Sequence, residues 1–491
     1  MKVNYRQMCC FEAEVQVIFL TEDNLNVGKE GIQKNIEHAS NINVFSGKNG
    51  QTYTFTREVE DRIQNVVLVG LGKEETLTLD IVRKAVSKGI RKTKEFKATT
   101  VFLKLPKVDT LTVEDMIKNT AIAARIGAYT FDKYKTDSEL EAFMDVSIGR
   151  CGIKEATPEI EAAITEGNQI ADGIVLARNL VNEPANVMYP EVLAEEAVKA
   201  GKESGFEVEV HGLEKIKELK MEAFLNVAKG SAKEPKLIVM RYMGNPEQKG
   251  EILGLVGKGL TFDTGGYSLK PSPSMVDMKS DMGGSASVIG AMTAIAKAKL
   301  KINVVAVVAS CENAISGDAY KPGDIIGSMA GKTIEIDNTD AEGRLTLIDA
   351  VTYAIEKENV TEVIDLATLT GACLVALGET TTGVITNNQD FYKELEDVSK
   401  YTGEKMWQLP AFDDYRPLYK SDVADLKNTG GRFGGTITAG MFIGEFVQDK
   451  PWLHLDIAGT AWTGKQTDLS IKGGTGAPVY TLFELAKKRS K

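Results

Sequence analysis

The segment Asn338-Thr339-Asp340-Ala341-Glu342-Gly343-Arg344 sets two carboxylates two residues apart, then a glycine, then an arginine; an apolar, helix-like stretch over 345–357 follows. In an extended backbone, residues i and i+2 point to the same side, so Asp340 and Glu342 are expected to face one point. Two anions facing one point call for a cation, commonly a divalent metal. The plainer alternative is a polar turn ahead of a helix, with Asp340 as its N-cap. Either way the segment is a strand-to-helix junction, placed after a strand expected near 333–336.

A second conspicuous stretch lies upstream. It runs Val256-Gly257-Lys258-Gly259-Leu260-Thr261-Phe262-Asp263-Thr264-Gly265-Gly266, then Leu269-Lys270-Pro271, then Met278-Lys279-Ser280-Asp281-Met282-Gly283-Gly284. A strand predicted over 252–256 feeds it and a helix over 285–298 leaves it. In open α/β sheets, ligands bind at the carboxyl ends of strands, and both stretches are expected there. The spacing around Gly254, Gly257 and Lys258 is wrong for a Walker A loop, and Gly259 stands where that motif needs Ser or Thr. Metal chemistry fits better. Asp263 and Asp281 join Asp340 and Glu342, and four carboxylates match two divalent cations in charge. Without cations, such groups repel and their pKa values rise. Lys258 beside two metals would lose its proton more easily and could itself ligate, although a charge-balancing lysine is the simpler reading.

The rest of the chain alternates strands and helices. Strands are predicted over 15–20, 66–69 and 99–103, with helices over 79–90 and 113–128. The turn Gly70-Leu71-Gly72 lacks the third glycine of a dinucleotide fingerprint and reads as a tight strand-to-helix turn. A long helical pattern covers 158–181. Further strands are expected over 206–210, 236–242, 303–310, 363–367 and 452–457, with helices over 191–204 and 439–447. Several strands are Val/Ile-rich without alternation, as when both sheet faces are covered. The expected fold is α/β with two domains, each a mixed, largely parallel sheet flanked by helices, joined by a long helix. The expected division is 1–155, a connecting helix and linker over 156–185, and a catalytic domain over 186–491.

Composition sets limits. A chain of 491 residues with 43% hydrophobic and 26% charged residues is ordinary for a multidomain globular protein. A net charge of −11 argues against general affinity for nucleic acid or anionic membrane. Five scattered cysteines (Cys9, Cys10, Cys151, Cys311, Cys373) have no zinc-finger spacing and point to a reducing compartment. No signal peptide or membrane-length apolar run is apparent, so a cytoplasmic location is expected. The only histidines, His38, His211 and His454, are far apart; a bound metal would have mostly oxygen ligands, unlike histidine-rich zinc hydrolases.

Together these residues resemble the leucyl aminopeptidase (cytosol aminopeptidase) family of dinuclear metallo-exopeptidases. Asn-Thr-Asp-Ala-Glu-Gly-Arg-Leu at 338–345 is the family signature, and the segments around Lys258–Asp263, Lys270-Pro271 and Met278–Met282 follow in family order. The runs 365–371, 456–459, 129–135 and 179–186 also match, so the likeness is dense from 179 onward and thinner before. The resemblance implies one metal held by Lys258, Asp263, Asp281 and Glu342, and another by Asp263, Asp340 and Glu342. The ions would be Mn²⁺ or Zn²⁺ and would share a bridging hydroxide. It implies that Lys270 contacts the substrate carbonyl and that Arg344 holds a bicarbonate acting as general base. It implies a substrate cleft lined by Met278, Asn338, Ala341, Thr368, Leu369 and Gly371. It further implies peptide substrates with a free N-terminus, leucine-like preference, and a homo-hexamer built as a dimer of trimers. The competing readings are a DNA-binding regulatory protein on the same scaffold and a narrower dipeptidase of Cys-Gly type.

Overall fold

The computed structural model describes residues 1–6, 13–28, 30–59, 61–136, 145–150, 152–153, 155–248 and 250–490. The chain divides into two compact units, Met1–Ala171 with Lys465–Ile471, and Asp172–Gly464 with Lys472–Lys491. Each is a mixed, largely parallel sheet flanked by helices, as the sequence predicts. The 25-residue helix Pro158–Asn182 contributes residues to both.

The first unit is built on six strands: β1 (Val3–Tyr5), β2 (Val15–Leu20), β3 (Thr52–Val59), β4 (Arg62–Gly70), β5 (Thr100–Leu105) and β6 (Asp145–Arg150). Their order is β1-β6-β5-β2-β4-β3, and every pair is parallel except the β3–β4 hairpin. Every residue of β2 is buried. Its side chains alternate between two cores, as the pleat requires. Ile18 and Leu20 pack with Ile32 and Ile36 of the helix Glu30–Asn41, and Val17 and Phe19 pack on the other face with Val82, Val86 and Ile117. The helices Leu79–Thr93 and Val113–Ala128 start where Thr78 and Thr112 accept the backbone N–H of Ile81 and Asp115.

The second unit has β7 (Glu207–His211), β8 (Lys236–Met243), β9 (Leu253–Asp263), β10 (Asn303–Asn313), β11 (Ile325–Ile326), β12 (Ile334–Glu335), β13 (Glu362–Ala367), β14 (Thr382–Thr386), β15 (Met406–Gln408), β16 (Leu426–Lys427) and β17 (Trp452–Asp456). Eight of them form a sheet in the order β15-β14-β17-β13-β9-β10-β8-β7, with β17, β13, β9 and β10 parallel at its centre.

Two expectations are corrected. The strand predicted over 252–256 continues to Asp263, so Lys258 and Asp263 lie within β9 and not in a loop after it. Its glycines suit a strand wedged between close neighbours: a Cβ on Gly257 would lie 2.7 Å from Ser285 Cα. The strand near 333–336 is only the two-residue β12, which belongs to the separate three-stranded sheet β11-β12-β16.

Cys311 and Cys373 are buried free thiols; Cys9, Cys10 and Cys151 lie outside the described residues. Among the described residues no helix is long and apolar enough to cross a membrane.

The helix Gly283–Lys297 begins hard against the sheet. A Cβ on Gly284 would meet Leu366 O at 2.2 Å and Lys258 N at 2.8 Å, both backbone atoms that cannot swing aside. Gly284→Ala is therefore expected to cost ~1–3 kcal/mol or more by overpacking. Gly317→Ala, where a Cβ meets nothing within 4 Å, should stay within ~0.5 kcal/mol of the parent. Denaturant unfolding of the two variants checks the contrast.

Candidate active site

Four short segments deliver the charged side chains, one of them the turn after β9 that carries Lys270, whose N–H donates to Thr264 O at 3.0 Å. β9 brings Lys258 and Asp263. Its pairing with β10 shifts register between Cys311↔Leu260 and Glu312↔Phe262, which makes Thr261 an extra residue. Lys258 and Asp263 are five apart and would face opposite sides of a regular strand; the extra residue resets the alternation, and both reach one centre. The same shift sets Asn313 opposite Asp263, where its Nδ2 donates to Asp263 Oδ1 at 2.8 Å. The N–H of Gly265 donates to that oxygen as well, at 2.8 Å. Asp281 comes from the 3₁₀ turn Met278–Met282.

Asp340 and Glu342 come from the opening heptapeptide, but not by the extended geometry expected of them. Asp340 sits in a turn in which its own N–H donates to Asn338 Oδ1 at 2.8 Å. Glu342 already has helical φ/ψ of −81° and −35° and precedes the helix Gly343–Glu356. Their convergence is therefore the work of a turn running into a helix. Nor is Asp340 the N-cap: Glu342 occupies that position, and its side chain makes no capping bond.

The centre is tight and buried. Lys258 Nζ lies 2.7 Å from Asp281 Oδ2 and 2.8 Å from Glu342 Oε1, and donates to Thr368 O at 3.1 Å. Lys270 Nζ lies 2.8 Å from Asp263 Oδ2 and also contacts Asp340 Oδ1. One carboxylate oxygen from each of Asp263, Asp340 and Glu342 falls within 4.8 Å of the others. Burial pushes the Asp263 carboxyl up to about 6, with Glu342 adding repulsion. Burial, aided by Glu342, also raises Asp340 and holds Asp281 well above the usual carboxylate range. Burial opposes the charge on Lys258, but Asp281, Glu342 and Asp263 outweigh it and raise its pKa. For Glu342 the penalty of burial is overcome by Lys258 and Lys270, and its pKa falls. Glu342 Oε2 is nevertheless buried without a hydrogen-bond partner. That orphaned acceptor, within an excess of carboxylates, fits a site for cations.

Arg344 lies inside the first helical turn, two residues deeper than the predicted helix start places it. Its Nη1 donates to Asn428 O at 2.7 Å, while its Nε is buried and unpartnered. Desolvation lowers its pKa to about 10, opposed by Glu342 and Asp456.

Of the expected cleft residues, Thr368 reaches the centre directly: its Oγ1 donates to Asp281 Oδ1 at 2.8 Å. Leu369 is held by its N–H on Asp456 Oδ1 at 3.2 Å. Asn338 and Ala341 are tied to Asn428, whose Nδ2 donates to their carbonyls at 2.7 and 3.4 Å. Gly371 opens the helix Gly371–Leu377 with open space where a Cβ would stand. Met278 is half-buried at the start of the turn that carries Asp281.

Three positioning residues have no role assigned by the sequence reading, although Asp456 opens one of the matching runs. Asn313 holds Asp263 and also donates to Thr339 O at 3.0 Å. Asp456 takes N–H donors from Leu369 and Ala458 and the Thr370 hydroxyl at 2.6 Å. Asn428, fully buried, also accepts the N–H groups of Asp337 and Asn338 at 2.8 and 3.2 Å. Asn428 lies more than 80 residues from the segment it holds, and Asp456 as far from Leu369 and Thr370, so no local spacing reveals those contacts.

Two family models match this chain: the cytosol aminopeptidase family catalytic domain over residues 175–483, and its N-terminal domain over 17–138. The chain belongs to the cytosol aminopeptidase family. It is 54% identical over 483 residues to a probable cytosol aminopeptidase of Clostridium perfringens, covering 98% of each chain. It is 46% identical to one of Clostridium tetani, over 94% of this chain and 98% of that one. Among solved structures it resembles a tomato leucine aminopeptidase mutant (TM-score 0.89, 33% identity, 99% of this chain and 96% of that one). It also resembles the bottromycin maturation enzyme BotP in complex with Mn (TM-score 0.88, 31% identity, 98% and 100%). The cytosol aminopeptidase likeness spans both units, and the general activity is that of an aminopeptidase, a peptide-bond hydrolase.

Asn428→Ala would release the carbonyls of Asn338 and Ala341 and free the loop that carries Asp340 and Glu342. A displacement of about 1 Å at reacting groups costs on the order of 10²-fold in rate. A drop of that order in kcat is expected, with folding checked by circular dichroism. Full activity in a folded variant would show that the loop holds itself.

Proposed function

We propose that this chain is a metal-dependent aminopeptidase that removes leucine-like residues from the free N-terminus of peptides. The observation that carries the reading is the buried convergence of Asp263, Asp281, Asp340 and Glu342 on Lys258 and Lys270. Four carboxylates against two ammonium groups leave negative charge uncompensated in a desolvated centre, which is costly. The residues fit two divalent ions: Lys258, Asp263, Asp281 and Glu342 would hold one, and Asp263, Asp340 and Glu342 the other. Lys258 would then serve as a neutral amine. When bound, such ions would activate a water and polarise the scissile carbonyl. An oxygen-rich donor set suits Mn²⁺ or Zn²⁺.

The chain's own groups do the rest. The Lys270 ammonium would donate to the substrate carbonyl oxygen as negative charge develops there. Arg344 stays protonated and cannot act as a base. Its unpartnered Nε, at the N-terminus of a helix, suits a bound anion such as bicarbonate that takes the proton. Met278, Asn338, Ala341, Thr368, Leu369 and Gly371 would line the cleft for the N-terminal side chain. In this reading residues 186–491 carry catalysis, residues 156–185 connect, and residues 1–155 serve assembly or access. A homo-hexamer in the cytoplasm accords with the resemblance.

Hydrolysis of leucine p-nitroanilide is expected to vanish on exhaustive chelation and return with Mn²⁺ or Zn²⁺. Activity that survives chelation overturns the metal reading. N-acetylated leucine amide should resist cleavage; equal rates on free and blocked substrates would exclude recognition of the amine. Lys270→Met should lower kcat by ~10²–10³-fold, the usual loss for one oxyanion donor, with metal content by mass spectrometry unchanged. Added bicarbonate should raise the rate of the parent and not of Arg344→Ala.

A further inference from the structure

Away from the carboxylate centre, the first unit holds a concentration of opposite charge. A cavity of about 800 Å³ is lined by the C-terminal part of the helix Leu79–Thr93, the turn after it and the segment Lys465–Ile471. Lys88, Arg91, Lys92, Lys94 and Lys465 line it, against the carboxylates of Glu95 and Asp468. In a chain of net charge −11, so local a surplus of cations calls for a reason.

Part of it is ordinary. Basic side chains in a last helical turn complement the helix dipole. Lys92 pairs with Glu95 at 2.7 Å. Lys88 Nζ donates to Gly50 O at 2.5 Å and Lys94 Nζ to Ala128 O at 3.1 Å. Arg91 is not so accounted for. Its Nη1 donates to Thr467 O, but its Nε and Nη2 are buried with no partner. Leaving buried donors unpaired is expensive, more so on a charged group. Desolvation lowers the pKa of Arg91, with Asp468 opposing. Lys94 is lowered by desolvation and by the charge of Arg91 itself, with Asp132 opposing. Two cations held together at this cost, one with two unsatisfied guanidinium donors, make a receptor for an anion, and the planar guanidinium matches phosphate oxygens.

We propose that this cavity binds a small oligophosphate, free or carried by a nucleotide, with Arg91 and Lys94 as its principal contacts. The cavity is larger than one phosphate fills and lies within the range of small-molecule sites. The cationic surplus exceeds what one carboxylate would balance.

Isothermal titration of the metal-loaded full-length protein with inorganic pyrophosphate, and separately with ATP, tests this. Saturable binding that weakens with salt is expected. Arg91→Gln and Lys94→Gln should each weaken it by ~10-fold or more, while both variants keep the parent's circular dichroism and its hydrolysis of leucine p-nitroanilide. Similar affinities for the two probes support recognition of the phosphate chain alone, and tighter binding of ATP supports a nucleotide. Heat that both variants retain in full arises at the catalytic ions and overturns the proposal, as does the absence of saturable heat. Neither outcome bears on the peptidase reading, which the chelation experiment decides.

Discussion

Burying like charges together is the constraint on which the second unit depends. Asp263, Asp281 and Glu342 are all but inaccessible to water, and each would repel the others if left alone. Lys258 and Lys270 bridge them in pairs, so each ammonium group compensates two carboxylates. Removing one member of such a set strands an unpaired buried charge, the costly way to disturb it. The surrounding backbone is fitted to the lysine stems. A Cβ on Gly343 would lie 2.4 Å from Lys258 Cε, so the helix that follows Glu342 can begin only where glycine leaves room for that side chain.

Two buried polar residues distant in sequence hold the walls of this centre. Asn428 grips the Asp337–Ala341 side and Asp456 the Leu369–Thr370 side. Asn428 directly follows the short strand β16 and Asp456 ends β17, so the sheets set the separation of the two walls. Asp365 and His454 form another buried pair nearby, with His454 Nδ1 2.6 Å from Asp365 Oδ1 and the Trp452 Nε1 donating to Asp365 Oδ2 at 2.6 Å. That pairing gives one of the three histidines a packing role within the sheet, in keeping with a site whose candidate ligands are carboxylates.

Much of this was legible in residue order. The α/β alternation, the helix Val113–Ala128 and most central strands follow from apolar runs bounded by glycine and polar residues. So does the charge census at Lys258, Asp263, Asp281, Asp340 and Glu342. What failed to show were features set by pairing. β9 looked like a short strand with a glycine-rich loop because its glycines mark close approach, not a turn. β3 was missed because it is a half-exposed strand with polar alternate residues. Asn313 and Asn428 carry no local pattern, and Asp456 shows only as the start of a matching run without a role; only the folded sheets bring them to their partners. The basic cavity is equally silent in one dimension, since Arg91 and Asp468 come together only through tertiary folding.

The register shift at Thr261 bears on how this protein can vary over time. Because one extra residue turns Lys258 and Asp263 toward the same centre, the spacing between them matters through its parity as well as its length. An exchange of side chain at 259–262 leaves that parity intact. The loss or gain of one residue there reverses it and sends one of the two side chains into the opposite face of the sheet. This stretch of β9 is therefore closed to drift by insertion or deletion for a reason separate from the packing that restrains its side chains, such as the 2.7 Å a Cβ on Gly259 would leave to Val308, and no inventory of charged residues would reveal it.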